Sequence, residues 1–360
     1  MIDFLVVGGG IAGTSVGARL SALGSVTLLE RESALAYHAS GRSAALYEPS
    51  YGSSSTVALN EASRDFYFGE GADLLSPRGL LLIGTEDTAE EFEADVTALT
   101  LHRLGLDEAR AKLPILNDTV TRAAYHAEAW DIDTDRLVQS FASQIRSTGG
   151  VIRTSAEVTG ITRTDAGWDV TTGGEVLSAR TLVNAAGAWV DVIAEMAWIA
   201  PIGITPFRRS MARIPAPGGH DTTNWPVLFG PGENWYAKPD AGALIVSPAE
   251  EVAMPPMDAW ADDMALAEGL ARYEAHVTEP VTQLLSNWAG LRSFAPDRNL
   301  VLGPDPSDYS FVWMAAQGGY GFQTAPGASQ LCADLVAGKT PLVSADMVAT
   351  LSPNRFTDRT

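Results

Sequence analysis

Three glycines, one acid and two arginines carry most of the chemistry in this sequence. Gly8-x-Gly10-x-x-Gly13 follows the apolar run Phe4 to Val7 and opens a stretch in which Val16, Ala18, Leu20 and Leu23 recur at helical spacing. In such a strand, turn and helix the first glycine permits the tight turn and the second lets a pyrophosphate approach the backbone. The third lets helix and strand pack closely. The N–H groups and positive dipole end of the helix then face the phosphates. A second apolar run, Val26 to Leu29, ends in Glu30, whose carboxylate can accept both hydrogens of a ribose diol. Together these residues predict a dinucleotide site rather than a bare glycine turn.

Arg209, in Pro206-Phe-Arg-Arg-Ser210, and Arg292, in Gly290-Leu-Arg-Ser-Phe294, stand among apolar and small residues, where a guanidinium needs an anionic partner. Its planar fork takes a carboxylate bidentately. From the residues alone that carboxylate is more readily a structural Asp or Glu than a ligand, and Arg208 reads as structural.

Positioning these groups falls first to the βαβ-like opening of the initial thirty residues. Beyond it, Leu80 to Ile83 predicts a strand, Ala89 to Leu104 a helix, and Asp133 the N-cap of a helix ending near Gly149-Gly150. Val151 to Val158, Trp168 to Thr172 and Leu177 to Val183 read as strands, the last running into Asn184-Ala-Ala-Gly-Ala-Trp189. From Pro201 to Pro248 short strands alternate with Pro and Gly turns, the pattern of an antiparallel sheet carrying a site. A helix is predicted over Ala261 to His276, a strand over Phe311 to Ala316, and a closing helix from about Phe322. Cofactor-type segments at both ends and in the middle imply an α/β fold with two interleaved domains. A Rossmann-like domain (1–47, 135–190 and 297–360) alternates with a substrate domain on a mixed, largely antiparallel sheet (48–134 and 191–296).

Composition excludes several classes of function. The chain has 360 residues, 46% hydrophobic and 19% charged, enough for a large core and, at roughly 150 residues per domain, for two domains. A net charge of −20 makes nucleic acid or an anionic membrane surface a poor partner. The single cysteine, Cys332, rules out an intrachain disulfide framework and reads as a small core residue rather than a point of covalent attachment. Five histidines lack metal-ligand spacing, so no metal is expected, and no Ser/His/Asp set or G-x-S-x-G elbow suggests hydrolysis. Without an apolar run of about 18 residues or a basic leader, no membrane span or signal peptide is expected. A cytoplasmic location is therefore expected, with peripheral contact at the inner membrane left open.

The segment after Glu30 selects the dinucleotide. In place of regularly alternating strands and helices comes His38-Ala-Ser-Gly-Arg-Ser-Ala-Ala45, a polar, glycine-containing loop that suits a long cofactor crossing the protein and favours FAD.

The glycine motif with Glu30-Arg31, this loop, Asn184 to Trp189, Trp288-Ala-Gly-Leu-Arg-Ser-Phe294 and Ala316-Gln-Gly-Gly-Tyr-Gly321 resemble the D-amino-acid-oxidase-like flavoproteins over nearly the whole chain. Within them the sequence looks most like the bacterial FAD-dependent D-arginine dehydrogenases. The resemblance implies non-covalent FAD. Its contacts would be Gly8, Gly10, Ala12 and Gly13 of the opening turn, Glu30 and Arg31, and Ala39, Ser40, Gly41, Arg42, Ser43, Ala44, Ala45 and Leu46 of the loop. Val158, Ala186, Gly187, Gly318, Gly319, Tyr320, Gly321, Phe322 and Gln323 complete them. The amides that open the closing helix would face the flavin and stabilise charge developing on reduction. The resemblance also implies a catalytic set: Arg209 and Arg292 on the substrate α-carboxylate with Tyr236 beside them, the Gly319 carbonyl receiving the amine, and Tyr51 in a lid spanning Leu46 to Gly52. His38 would stand beside the flavin loop.

Departures from that pattern fall in the side-chain pocket. The glutamate with which D-arginine dehydrogenases meet a cationic side chain is matched by Leu80, a lid His by Leu46 and a lid Thr by Glu48. Loss of such a carboxylate weakens cationic substrates by ~2–5 kcal/mol. The pocket of Leu46, Glu48 and Leu80 therefore predicts apolar or aromatic over cationic side chains, with Glu48 a candidate substitute acid.

The expected reaction is oxidative deamination of a D-amino acid, a hydride passing from Cα to FAD N5 and the imino acid hydrolysing to a 2-oxo acid and ammonia. Alignment by the clamp is the main contribution, for which ~7–11 kcal/mol is available. A rate rising with pH would report the substrate ammonium. Sarcosine-oxidase-like relatives place an oxygen-activating Lys after a turn resembling Asp240-Ala-Gly242, where this chain continues Ala243-Leu244-Ile245. That favours a dehydrogenase passing electrons to a quinone or another carrier. Two alternatives stay open: a same-fold oxidase or dehydrogenase of N-methyl amino acids, glycine or 2-hydroxy acids, and a flavin-binding electron-transfer subunit with no substrate site of its own.

Overall fold

The computed structural model describes residues 1–356. The last four residues of the segment 297–360 lie outside the described residues.

The opening strand Ile2–Val7 is apolar on both faces, with Leu5 and Val6 fully buried, as a central strand of a parallel sheet must be. It pairs in parallel with Val26–Leu29 on one side and with Glu175–Asn184 on the other. The sheet runs in the order 158–164, 167–172, 175–184, 2–7, 26–29, 151–153. Strand Glu175–Asn184 serves two neighbours along one edge. Its first half lies antiparallel to Gly167–Thr172, and its last residues pair in parallel with Phe311–Ala315. Between the first two strands the helix Ile11–Leu20 packs under the helices Thr134–Ser147 and Gly321–Ala337, burying all but one of its residues.

The second sheet has the order 252–253, 205–215, 243–247, 236–240, 227–229, 80–84, 122–126, 102–104, with Ser286–Phe294 laid antiparallel along Thr205–Pro215. A small sheet of Leu46–Tyr47, Trp130–Ile132 and Leu75–Pro77 lies next to the lid. The architecture is mixed α/β, as expected.

Several elements match the sequence reading closely. Asp133 caps Thr134–Ser147 by accepting from Arg136 N–H, and the closing helix begins at Gly321. Two predictions fail. The helix expected to reach Leu104 stops at Ala98, because the chain turns left-handed at Thr100 (φ 54°) and His102–Leu104 becomes a strand against Arg122–His126. The strand expected over Val151 to Val158 breaks after Arg153 at Ser155 (φ 52°) and resumes at Val158. No helix among the described residues is long and apolar enough to cross a membrane.

Candidate active site

The end of the first strand, the start of the first helix and the loops facing them line one continuous cleft that runs from Glu30 to Arg292. At its nucleotide end the glycines are demanded by the backbone. Gly8 has φ 109°, and a Cβ there would meet Ala185 O at 2.4 Å; a Cβ on Gly13 would meet Gly8 O at 1.8 Å. Glu30 is 8% exposed, and its two oxygens accept from Gly9 N at 2.7 Å and Glu32 N at 2.9 Å. Each oxygen keeps a lone pair for a hydroxyl. Ser40 Oγ accepts from Ile11 N at 3.0 Å, leaving the amides of Gly10 and Ala12 unbonded among the described residues. Further along, Gln317 Nε2 is buried with no partner, and Gly187 (φ 57°) would place a Cβ in open space. An acceptor pair at one end, unspent amides at the helix start and an orphaned donor along the cleft suit a dinucleotide.

Most of the anticipated cofactor contacts line this cleft. Gly8, Gly10, Ala12, Glu30, Arg31, Ala39, Ser40 and Arg42 to Leu46 do so, as do Val158, Ala186, Gly187, Gly318, Gly319, Gly321, Phe322 and Gln323. Three do not. Gly13 lies beneath the turn where helix crosses strand, Gly41 packs against Ala36 O (2.3 Å from a would-be Cβ), and the Tyr320 ring packs between Tyr51 and Phe294. Two others line the cleft but spend their side chains elsewhere. Arg42 donates to Ala259 O, Ala289 O and Asp258, and its carbonyl accepts from Trp288 Nε1, so it bolts the loop to Ser286–Phe294. Gln323 donates to Tyr51 O and accepts from Glu48 N, holding the lid. His38 does stand at the loop, bonded to Glu32 and packed on Trp189, over which Arg31 also lies.

At the other end, antiparallel pairing puts Arg209 opposite Gly290 and Arg292 opposite Phe207. The two arginines are thus diagonal neighbours on one face, a spacing of ~7–8 Å between backbones. Arg209 is 5% exposed; one Nη lies 3.4 Å from Glu251, and its Nε is buried without a partner. Glu251 sits closer to Arg298, at 2.9 and 3.0 Å. Burial, and then Arg292, push the Arg209 pKa down. Arg292 makes no hydrogen bond or ion pair among the described residues. Burial works against its charge, but Tyr51, Tyr236, Glu233 and Tyr320 outweigh it and hold its pKa above the ordinary arginine value. Two adjacent cations, one unpaired and one loosely paired, make a site for an anion. Arg208, by contrast, is held by Asp262 at 3.2 Å and Glu250 at 3.7 Å.

The remaining anticipated residues close around this pair. Tyr236 donates to Met211 Sδ at 3.3 Å, and Tyr51 donates to Glu233 Oε2 at 2.8 Å. Gly319 lies against the Arg292 guanidinium. Asn60 Nδ2 ties down the lid by donating to Glu48 O, Pro49 O and Tyr51 O. Leu46, Leu80 and Glu48 line the same cavity, with Val227 and Phe229. Glu48, the candidate substitute acid, is bonded within the protein: its Oε2 lies 2.8 Å from His126 Nδ1 and its Oε1 accepts from Ser50 N.

Glu233, Phe229, Met211 and His126 escaped the sequence reading, since they come here only through the second sheet: Phe229, Met211 and His126 lie on its strands and Glu233 in the turn between two of them. Lys238 also escaped it: it stands before the Asp240 turn, not after it. Its buried ammonium donates to Ala45 O at 2.8 Å and pairs with Asp131 at 3.0 Å, fastening the cofactor loop from beneath. Cys332 is fully buried in the closing helix.

Fold and cleft together define a flavin-dependent oxidoreductase. The family model described as FAD dependent oxidoreductase matches residues 3–335, and the chain belongs to that family. It is 27% identical to a glycine oxidase of Pseudomonas putida over 94% of this chain and 95% of that one. Among solved structures, the glycine oxidase of Geobacillus kaustophilus superposes with a TM-score of 0.83 at 21% identity, covering 98% of each chain. The L-proline dehydrogenase of P. horikoshii superposes at 0.85 with 20% identity, covering 99% of this chain and 98% of that one. FAD is the cofactor of the family, and the cleft's acceptors and amides fit it.

Proposed function

We propose that this enzyme oxidises the Cα–N bond of a D-amino acid, its imino product hydrolysing to a 2-oxo acid and ammonia, with apolar or aromatic side chains preferred over cationic ones. The observation that carries this reading is Arg292, unpaired beside a loosely paired Arg209 at the inner end of the cofactor cleft. In this reading both guanidinium groups hold the α-carboxylate, Tyr236 adds a hydroxyl, and the Gly319 carbonyl accepts from the amine. Tyr51, anchored to Glu233, covers the substrate and excludes water. FAD, when bound non-covalently, supplies the acceptor for the hydride that leaves Cα. Leu46, Leu80 and Phe229 give the side chain an apolar wall, and Glu48, already bonded to His126, offers little to a cation. The D configuration rests on the family resemblance.

The two sheets support a division into FAD-binding segments 1–47, 135–190 and 297–360 and substrate segments 48–134 and 191–296. The acceptor is proposed to be a quinone or similar carrier rather than oxygen. A second reading, an enzyme for glycine, N-methyl amino acids or 2-hydroxy acids, is favoured by the glycine oxidases among the relatives, because the same clamp serves any such carboxylate. Anaerobic bleaching of the flavin against D- and L-amino acids, glycine, sarcosine and 2-hydroxy acids separates the two. Bleaching by D-leucine or D-phenylalanine supports the first; bleaching only by glycine, sarcosine or hydroxy acids supports the second. Bleaching by none would leave a flavin-binding subunit without its own substrate.

A further inference from the structure

The cavity that holds the arginines is also lined by one member of an ionisable pair, Glu48, whose half-buried partner His126 stands behind it. Glu48 is 1% exposed yet borders the cavity, as do Leu46 and Leu80. Its Oε2 is bonded to His126 Nδ1 at 2.8 Å, and its Oε1 accepts from Ser50 N at 3.1 Å. The pairing is a product of the sheet: His126 ends the strand directly opposite Leu80, 78 residues from Glu48. A buried carboxylate facing a ligand either attracts a cation or, if already neutralised, repels none and attracts none.

We propose that the Glu48–His126 pair is a charge-selectivity element for the substrate side chain, closed to cationic groups while His126 is protonated and open to them once it is neutral. This deepens, and rests on, the proposed amino acid activity. With both members charged, the pair presents no net charge, and an ammonium or guanidinium entering the pocket is desolvated without compensation. With neutral imidazole still donating from Nδ1, Glu48 keeps its place and presents a full negative charge. The charged groups that act on His126 are Glu48 from the lid and Glu128 just beyond its own strand. Of the two strands that flank its own, one presents Leu80 directly opposite it and the other presents His102, opposite the adjacent Tyr125. The hydrogen bond to Glu48, opposed by burial, raises the imidazole pKa, which moves the transition upward from the ordinary histidine value.

The test is ligand binding to the anaerobic holoenzyme, read from the perturbation of flavin absorbance, with hexanoate and 6-aminohexanoate as probes between about pH 6 and pH 9. Both carry the carboxylate for the arginines; only the second carries a distal cation, charged throughout this range. The affinity of 6-aminohexanoate relative to hexanoate is expected to rise about tenfold across the range, the equivalent of one pKa unit of interaction. In His126→Asn the ratio should be high and flat with pH, and in Glu48→Gln low and flat. A wild-type ratio that does not vary with pH, or one that varies equally in both variants, overturns the proposal while leaving the clamp intact. Failure of either carboxylate to bind at all overturns the clamp itself.

Discussion

A methyl group added to Gly319 would lie 2.9 Å from both Cζ and Nη1 of Arg292, so the guanidinium rests against a bare Cα. In the proposed site, the residue whose carbonyl would accept from the amine thus also sets the position of the arginine that would hold the carboxylate. The atoms in the way belong to the far end of a flexible side chain, so Gly319→Ala should fold and bind FAD while its arginine is displaced. A misplacement of about 1 Å in a clamp can cost on the order of 10²-fold. The expected outcome is an unchanged flavin content and melting temperature with kcat/KM for the amino acid reduced by about that factor. Steady-state kinetics beside a thermal melt checks it.

Arg292→Lys keeps a positive charge but replaces a fork with a point charge. Because Arg292 has no protein partner among the described residues, the loss should fall on the ligand alone. Hexanoate binding should weaken by ~2–5 kcal/mol, with little change in stability. The same change at Arg208, which is engaged by Asp262 and Glu250, should do the reverse: lower the melting temperature and spare ligand affinity. Titration and a melt on both variants distinguish an arginine held for the ligand from one held by the fold.

The cofactor half of this site was legible because its signals are local. A glycine motif, an apolar run and an acid lie within thirty residues, and the backbone clashes at Gly8 and Gly13 show why only glycine serves. The substrate half was legible only in part. Arg209 and Arg292 stand out as cations in apolar surroundings, but Glu233, His126 and Lys238 acquire their roles from pairings across the second sheet, for which sequence spacing carries no signal. Element ends failed for a related reason. Thr100 and Ser155 take left-handed conformations although neither is the glycine that such a conformation favours, so nothing in the sequence marked those breaks.

Gly13→Ala is the counterpart of Gly319→Ala. Here the obstructing atom is Gly8 O, at 1.8 Å, and backbone cannot swing aside. Helix and strand must separate at the turn that borders the cofactor cleft. Overpacking of this kind typically costs about 1–3 kcal/mol and sometimes more. The variant should purify with little or no FAD and melt several degrees lower, as absorbance at 450 nm and calorimetry would show. Full flavin occupancy at wild-type stability would contradict the assigned role.

Burial pushes the Cys332 thiol up to about 12. Because the thiolate is the reactive form, the native protein should resist thiol reagents at pH 8, and reactivity should appear only on unfolding. Acid precipitation should then release all of the flavin to the supernatant, as non-covalent binding requires. Flavin retained in the pellet would show a covalent link somewhere in the chain.

Tyr51 bears on how a pH profile should be read. Desolvation by the surrounding site, followed by the nearby Glu233 carboxylate, raises its pKa well above the ordinary tyrosine value. A group with a raised pKa keeps its proton at every pH below that value, so Tyr51 stays neutral through the working range and supplies no ascending limb there. In the proposed reaction, and for a substrate with no cationic side chain, a limb in kcat/KM that rises with pH is therefore assigned to the substrate ammonium. Tyr51→Phe should leave the midpoint of that limb in place while losing the bond to Glu233, a hydrogen bond to a charged group worth ~1.5–3 kcal/mol. That loss should appear as a higher KM, because the lid is held less firmly over the ligand. Profiles of kcat/KM for wild type and Tyr51→Phe with one substrate suffice: a midpoint that moves, or a limb that vanishes, would make Tyr51 the titrating base and overturn the assignment to the substrate amine.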